Sequence, residues 1–473
     1  MGLLTAISNG VKAAVGYQQR FEELLDNSDV SRALSMMHDY SASAMENLKL
    51  YKTDTHKIME RQDRPVYDKK GNFIRWSKRW KLPISFQEYI NEMAVVFLYG
   101  RPVKWSQLSE GTDEAFDKFK TLMEEVRFDA HIREAKRIAG AEGASAIVYH
   151  LYQKEGKPEL LLKVLSKDEG DDLYVIKDQY GRLKAAGWGY TMTEAGGKSV
   201  YHLDIDTGQY IYRCQRSTIG WQAKREDNPV GKILFLVFEQ KPEALTVQPL
   251  IDRYENLGSV DADVNDRFSN PAMVATAEVL NALPKQEDEA KLFILKNGGK
   301  VEYLTWDQAS KSKENEYARL EKHILSKSFT PDINFDNMKT LGNMSAKAIA
   351  KVFMLATIKA ERHKEKHDEY MNRHGHLMCA IQGNVLDYKH KAQHDALKLG
   401  HEFQQPFGED VSDTLNDALK QHGQGALSTE TVVEISYLVK NAQKELERLK
   451  KETQERMEQQ KELNRQDAFG PTD

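Results

Sequence analysis

The residues best suited to chemistry are histidines. Seven of the 14 lie between His363 and His401. His363 and His367 are four apart and so share one face of a helix, with His374, His376 and Cys379 following. Zinc takes His and Cys ligands, and such a pair is half of a site. The order here is His-Lys-Glu-Lys-His, without the glutamate placement of a metalloprotease helix. Charged neighbours suggest solvent-facing or intersubunit polar histidines, with His363, His367, His374 and Cys379 left as the weak metal alternative. Gly196-Gly197-Lys198-Ser199 imitates a phosphate loop, but that motif needs a glycine where Met192 stands and must join a strand to a helix. Between two strand-like runs it reads as a hairpin turn. Glu287-Asp288-Glu289 suits the first turn of a helix better than a cation site, because the helix dipole favours acids there. No nucleophile elbow or other hydrolase signature is present. The expectation is a protein that is not an enzyme and uses no cofactor, so any ATP its task consumes is hydrolysed by another chain.

The elements that would carry these residues fall into three textures. Residues 1–145 read as mostly helical. Leu3, Leu4, Ile7, Val11 and Val15 recur at helical spacing, as do Phe86, Tyr89, Ile90, Met93, Ala94 and Phe97, and Gly100-Arg101-Pro102 stops the second of these helices. Residues 65–84 suggest a hairpin turning at Asp68–Asn72. From 145 to 240, short β-branched or aromatic runs alternate with turn signals, which predicts an antiparallel β module. Helices return after Ala244. They are interrupted by a compact insert: an apolar strand at 272–277, a helix at 286–295, a Gly298-Gly299 turn and a second strand at 301–305. Near the C-terminus Ser428 is a good N-cap with Glu430 in the first turn, and residues 440–465 read as a solvated helix ending in a frayed tail.

Length and charge narrow the class. At 473 residues the chain has room for about three modules. Its longest apolar runs, Met93–Tyr99 and Ile233–Phe238, fall far short of the roughly 20 residues that span a bilayer, so no membrane is expected. A net charge of −5 argues against a broad basic surface for nucleic acid, so DNA contact should be local or weak. Two cysteines, Cys214 and Cys379, are too few for a disulfide framework and fit a reducing compartment. Ala6 stands where a myristoylation signal wants Ser or Thr, and no secretion signal is expected at the start.

The order helix, small α/β insert, helix, loop, long helix is where the chain resembles a known family, the portal proteins of tailed bacteriophages. The stretches that carry the likeness are Asn91 with Phe97–Val103, the insert with its Gly-Gly-Lys-Val-Glu-Tyr-Leu-Thr strand, and Leu320–Ile324 running into Thr330-Pro331-Asp332. Asn343–Ala348 and Gly425–Thr431 complete the set. Ala346 stands where the family often has Gly, which leaves the loop-to-helix junction less defined.

The resemblance implies an α+β portal-type fold. Residues 1–246 would form a wing, 247–268 a first stem helix, 269–306 a clip and 307–328 a second stem helix. A tunnel loop at 329–343 would follow, then a long helix at 344–387, a helical crown at 388–458 and a disordered tail at 459–473. It also implies a ring of twelve subunits at one capsid vertex of the virion, assembled in the host cytoplasm. The implied partners are the terminase large subunit, a head-tail adaptor, the major capsid or scaffolding protein, and duplex DNA passing without sequence preference. The rival reading is another phage structural protein, such as a minor head or scaffolding component. A sliding channel should hold phosphates weakly, since each neutralised phosphate adds affinity. Asp252, Glu255, Asp261, Asp263 and Asp266 on the first stem helix could line such a channel and repel DNA; equally, they could face solvent or pair with a neighbour. Clip residues Lys285, Glu287, Asp288, Glu289 and Lys291 are the expected docking surface. In the tunnel loop, Lys339 would touch phosphates transiently while Asp332 and Asp336 limit the grip and Gly342 lets the backbone move.

Overall fold

The computed structural model describes residues 16–68, 70–193, 197–218, 220–268, 273–275, 301–303, 307–333, 351–404, 411–436, 439 and 442–468. The chain divides into two units: Met1–Asn334 with Phe353–Pro406, and Phe335–Val352 with Phe407–Asp473.

The first unit is built on two antiparallel sheets. Six strands pair in the order His38–Asp39, Asp172–Lys177, Leu183–Thr193, Ser199–Asp206, Tyr210–Ser217 and Gly220–Asp227. Three pair in the order Phe235–Glu239, Ala144–Lys154 and Lys157–Leu165. The run Ala144–Tyr149 is buried at every position, as a strand covered on both faces must be. Ala146 and Val148 point to a core shared with Leu173, Val175 and Ala186 of the larger sheet. Ile147 and Tyr149 point the other way, into a core with Phe128, Ile132, Met371 and Met378. The helices behind that second core are Phe128–Glu142 and Met354–Ile381. On the larger sheet, Phe21 and Leu25 pack on Leu203, Tyr212 and Cys214. The expected β module is therefore two sheets, and Gly220–Asp227 is a strand the apolar runs did not suggest, because its residues alternate mostly between exposed and half-buried.

Two contacts fix the helical part. Helix Phe86–Tyr99 crosses Phe128–Glu142 so closely that a Cβ on Gly140 would lie 1.9 Å from the Asn91 carboxamide oxygen. Strand Lys104–Gln107 pairs antiparallel with Leu399–Glu402 across nearly 300 residues. The helical crown expected from residue 388 thus contains a strand that belongs with the first unit, whose chain runs to Pro406. In the second unit the described helices are Val411–Gly423, Thr429–Ile435 and Ala442–Ala468. Ser428 caps the middle one by accepting from the Thr431 N–H, as its position predicts. The last helix runs to Ala468, through most of the segment expected to be a disordered tail.

Candidate functional site

The two expected stem helices are Gln248–Phe268 and Asp307–Lys327, packed side by side. They run antiparallel, with ion pairs at matching heights. Arg253 donates to Glu316 at 2.8–2.9 Å and Lys313 to Asp261 at 2.7 Å, while the Tyr254 and Tyr317 rings meet edge to face at 4.9 Å. Gly258 admits the Tyr317 hydroxyl where a Cβ would sit at 2.7 Å from it. Ile251 and Ile324 are wholly buried with Ile90 and Val247, which anchors the pair on helix Phe86–Tyr99.

The acids of the first of these helices do not form one open face. Glu255 is buried, and its carboxylate accepts from the Ile84 N–H at 2.9 Å and meets His56 Nδ1 at 2.6 Å. Burial works against the His56 cation, but the hydrogen bond and charge of Glu255 outweigh it and raise the imidazole pKa. A channel-lining role for Glu255 is excluded by its burial. Asp263 accepts from Arg61 at 2.7 Å and from the Trp80 N–H at 2.8 Å, and Asp266 from the Trp80 indole N–H at 2.5 Å. Asp252 accepts from the Gln248 amide at 2.8 Å. The Arg253 and Lys313 pairs could be found in the sequence by folding it back about the middle of the insert, which aligns opposite charges. Nothing in the sequence marks His56, Arg61 or Trp80.

Of the insert, strands Met273–Ala275 and Val301–Tyr303 pair antiparallel, within the two runs expected for them. Lys285, Glu287, Asp288, Glu289 and Lys291 lie outside the described residues, as do Asp336, Lys339 and Gly342 of the loop. The start of that loop is held. Phe329 takes a left-handed conformation with φ 57°, the Thr330 N–H reaches back to the Leu325 carbonyl, and Thr330 is buried. Tyr89 then clamps the chain: its hydroxyl donates to the Pro331 carbonyl at 2.6 Å and accepts from the Ile333 N–H at 3.1 Å. Asp332, between them, is exposed.

The histidines on Met354–Ile381 divide: His376 is exposed and His363 half-buried, whereas two others leave the surface. His367 and His374 are buried, on the same stripe as Ala356, Ala360, Met371, Met378 and Ile381. His374 stacks on Phe128 with ring centroids 3.6 Å apart and shares a 2.6 Å hydrogen bond with the Tyr149 hydroxyl. Burial pushes its pKa down to about 3. His367 pairs with the Tyr99 hydroxyl at 2.7 Å. Cys379 is a buried thiol, pushed up to about 11 by desolvation. His363 turns to Glu243 at 3.2 Å. Among the described residues no group of histidine, cysteine and carboxylate side chains could hold a metal. The apolar stripe at three- and four-residue spacing is the signal that would have placed His367 and His374 in the core.

Glu243 is the centre of a buried charge cluster that sequence reading missed. Lys136 donates to it at 2.5 Å and to the Gln240 side-chain oxygen at 2.8 Å, and Lys359 reaches it at 2.6 Å. Burial would raise the Glu243 carboxyl, yet Lys136, His363 and Lys359 hold it well below the usual carboxylate range. This cluster locks the helix that follows the loop to the two-sheet body.

The family model for phage portal proteins of the SPP1 Gp6-like type matches residues 37–459. The chain belongs to that family. It is a family of structural proteins. Among solved structures, the chain is similar to a protein in the neck of a native gene transfer agent particle computed with C12 symmetry. That likeness has 12% identity and a TM-score of 0.40, over 80% of this chain and 97% of that one. A second, from the virion of a native gene transfer agent particle, has 9% identity and a TM-score of 0.36 over 75% and 93%. No curated protein sequence matches the chain. Among the described residues of this portal-family chain, no helix is long and apolar enough to cross a membrane.

Proposed function

We propose that this portal-family chain forms the ring at one capsid vertex through which duplex DNA is packaged, retained and ejected. The family match over residues 37–459 carries this reading. The antiparallel helices Gln248–Phe268 and Asp307–Lys327, joined through an insert that opens and closes with a small β pair, support it. In this reading they are the stem, the insert is the clip, and residues 329–343 are the tunnel loop, rooted by Tyr89. The ring has twelve subunits and resides in the virion after assembly in the host cytoplasm. The clip, with Lys285, Glu287, Asp288, Glu289 and Lys291, docks the terminase large subunit and later the head-tail adaptor. Capsid or scaffolding protein surrounds the ring. Lys339, with Asp332, Asp336 and Gly342, meets passing DNA, and the acids Asp252, Asp261, Asp263 and Asp266, of which Asp261 and Asp263 are paired with Lys313 and Arg61, leave the stem with little hold on phosphates.

Negative-stain images of the purified protein test this directly. Closed rings with a central channel are expected, with weak and sequence-independent DNA binding. A monodisperse 54.2 kDa monomer at micromolar concentration in several salts would overturn the reading.

A further inference from the structure

One part of the surface fits neither the stem nor the core. Strands Arg64–Tyr67 and Phe73–Ser77 form an isolated two-stranded ribbon. Nearly every residue of it is exposed or half-buried, and Tyr67, Phe73, Ile74 and Trp76 are each more than half exposed. Among the described residues its rings meet one another, Tyr67 to Phe73 at 6.3 Å and Phe73 to Trp76 at 5.4 Å between centroids. A lone ribbon of this size is at best marginally stable in water, and contiguous exposed apolar surface marks a docking site. The charge is equally uneven. In a chain of net −5, residues 61–81 hold eight basic side chains against two acidic ones. Arg64, Arg75 and Lys78 are exposed and make no ion pair among the described residues. The root of the ribbon is firm, because Arg61 and Trp80 are tied to Asp263 and Asp266 of the first stem helix. A firm root under a bare tip is the form of an arm held out to something else.

The same chain carries a complementary face. Helix Asp113–Glu125 buries Ala115, Phe119 and Leu122 and turns its acids outward. From Glu110 to Glu125 there are six acidic residues against two basic. Glu110, Asp113, Glu124 and Glu125 are exposed and make no ion pair among the described residues. Leu108 beside them is 67% exposed. A closed ring of identical subunits needs two different, mutually complementary patches on each copy, and a basic aromatic arm with an acidic helix flanked by a bare leucine is such a pair. Duplex DNA would answer the cations but would leave Ile74 and the rings wet.

We infer that the ribbon 64–77 docks on helix Asp113–Glu125 of the adjacent copy and clamps neighbouring subunits together. This rests on the ring reading above.

The test is sedimentation velocity on the full chain at one protein concentration. Arg75→Glu with Lys78→Glu should cut the ring fraction at least tenfold, and Glu124→Lys with Glu125→Lys should do the same. Combining all four should restore rings, since the pairing is reversed in sign. All four positions are exposed, so unchanged circular dichroism and melting of the monomers separate lost assembly from lost folding. Rings from Arg75→Glu/Lys78→Glu at the wild-type level would overturn the inference while leaving the ring reading standing. Loss not repaired by the four-fold variant would overturn helix Asp113–Glu125 as the receiving face. Intact rings with weakened duplex binding would reassign the ribbon to nucleic acid. A wild-type chain that never forms rings would remove the ring reading itself.

Discussion

Helices Gln248–Phe268 and Met354–Ile381 look alike in sequence: both are polar, charged and dense in candidate ligands. They meet opposite fates. The long helix buries His367 and His374 in a core and sends Lys359 and His363 to the buried carboxylate of Glu243. Helix Gln248–Phe268 buries only part of its surface and meets its neighbour through ion pairs at the rim, Asp261 with Lys313 and Arg253 with Glu316, all of them partly exposed. Glu255, buried against His56, is that helix's exception. The difference lies in what stands opposite each helix, and those partners come from distant parts of the chain. Residue type along a helix reports its chemistry; its surroundings decide whether that chemistry is core, pair or open surface.

The largest loss is expected at Glu243. Glu243→Gln leaves Lys136 and Lys359 without their anion in a buried place, and removing one member of a buried pair costs about 3–5 kcal/mol. Urea unfolding of the full chain should show that loss; a change below about 1 kcal/mol would mean that the cluster is wetter than its burial indicates.

His374 sharpens the contrast through pH. Its folded pKa of about 3 lies below the ordinary value, so the unfolded chain binds a proton that the folded chain refuses. Its contribution is full above the unfolded pKa and declines as pH falls below about 6.5, by about 1.4 kcal/mol per pH unit until pH approaches 3. Unfolding free energies between pH 7 and 5 should show this slope, reduced in His374→Phe whatever that variant's stability at neutral pH. Equal slopes in the two proteins would place His374 in contact with water.

The smallest effect belongs to the exposed pair between Gln248–Phe268 and Asp307–Lys327. Arg253→Ala should change stability by no more than about 1 kcal/mol, and less in high salt, because both Arg253 and Glu316 keep much of their surface in water. A loss as large as that of Glu243→Gln would erase the distinction between the two helices.

Much of the fold was legible. The apolar period of Phe86–Tyr99 and its Gly-Pro stop, the hairpin at Asp68–Asn72, most of the strands and the Ser428 cap follow from local spacing and turn chemistry. So do the two helices Gln248–Phe268 and Asp307–Lys327 and the two short strands between them, because a helix or a turn is decided by residues within a few positions of one another. The order of those elements also carried the likeness to the portal family. Tertiary structure decided the rest, since it depends on residues that meet only after the chain has folded. Strand Lys104–Gln107 finds its partner nearly 300 residues away, and one apparent β module divides into two sheets because Ala144–Tyr149 is covered from both sides. Glu255 is withdrawn from any channel because His56 and the Ile84 N–H stand against it, 171 or more residues away along the chain. His367 and His374 are core residues because Tyr99 and Tyr149 arrive to satisfy them, and a polar ring can be buried only where a distant segment supplies its hydrogen bond.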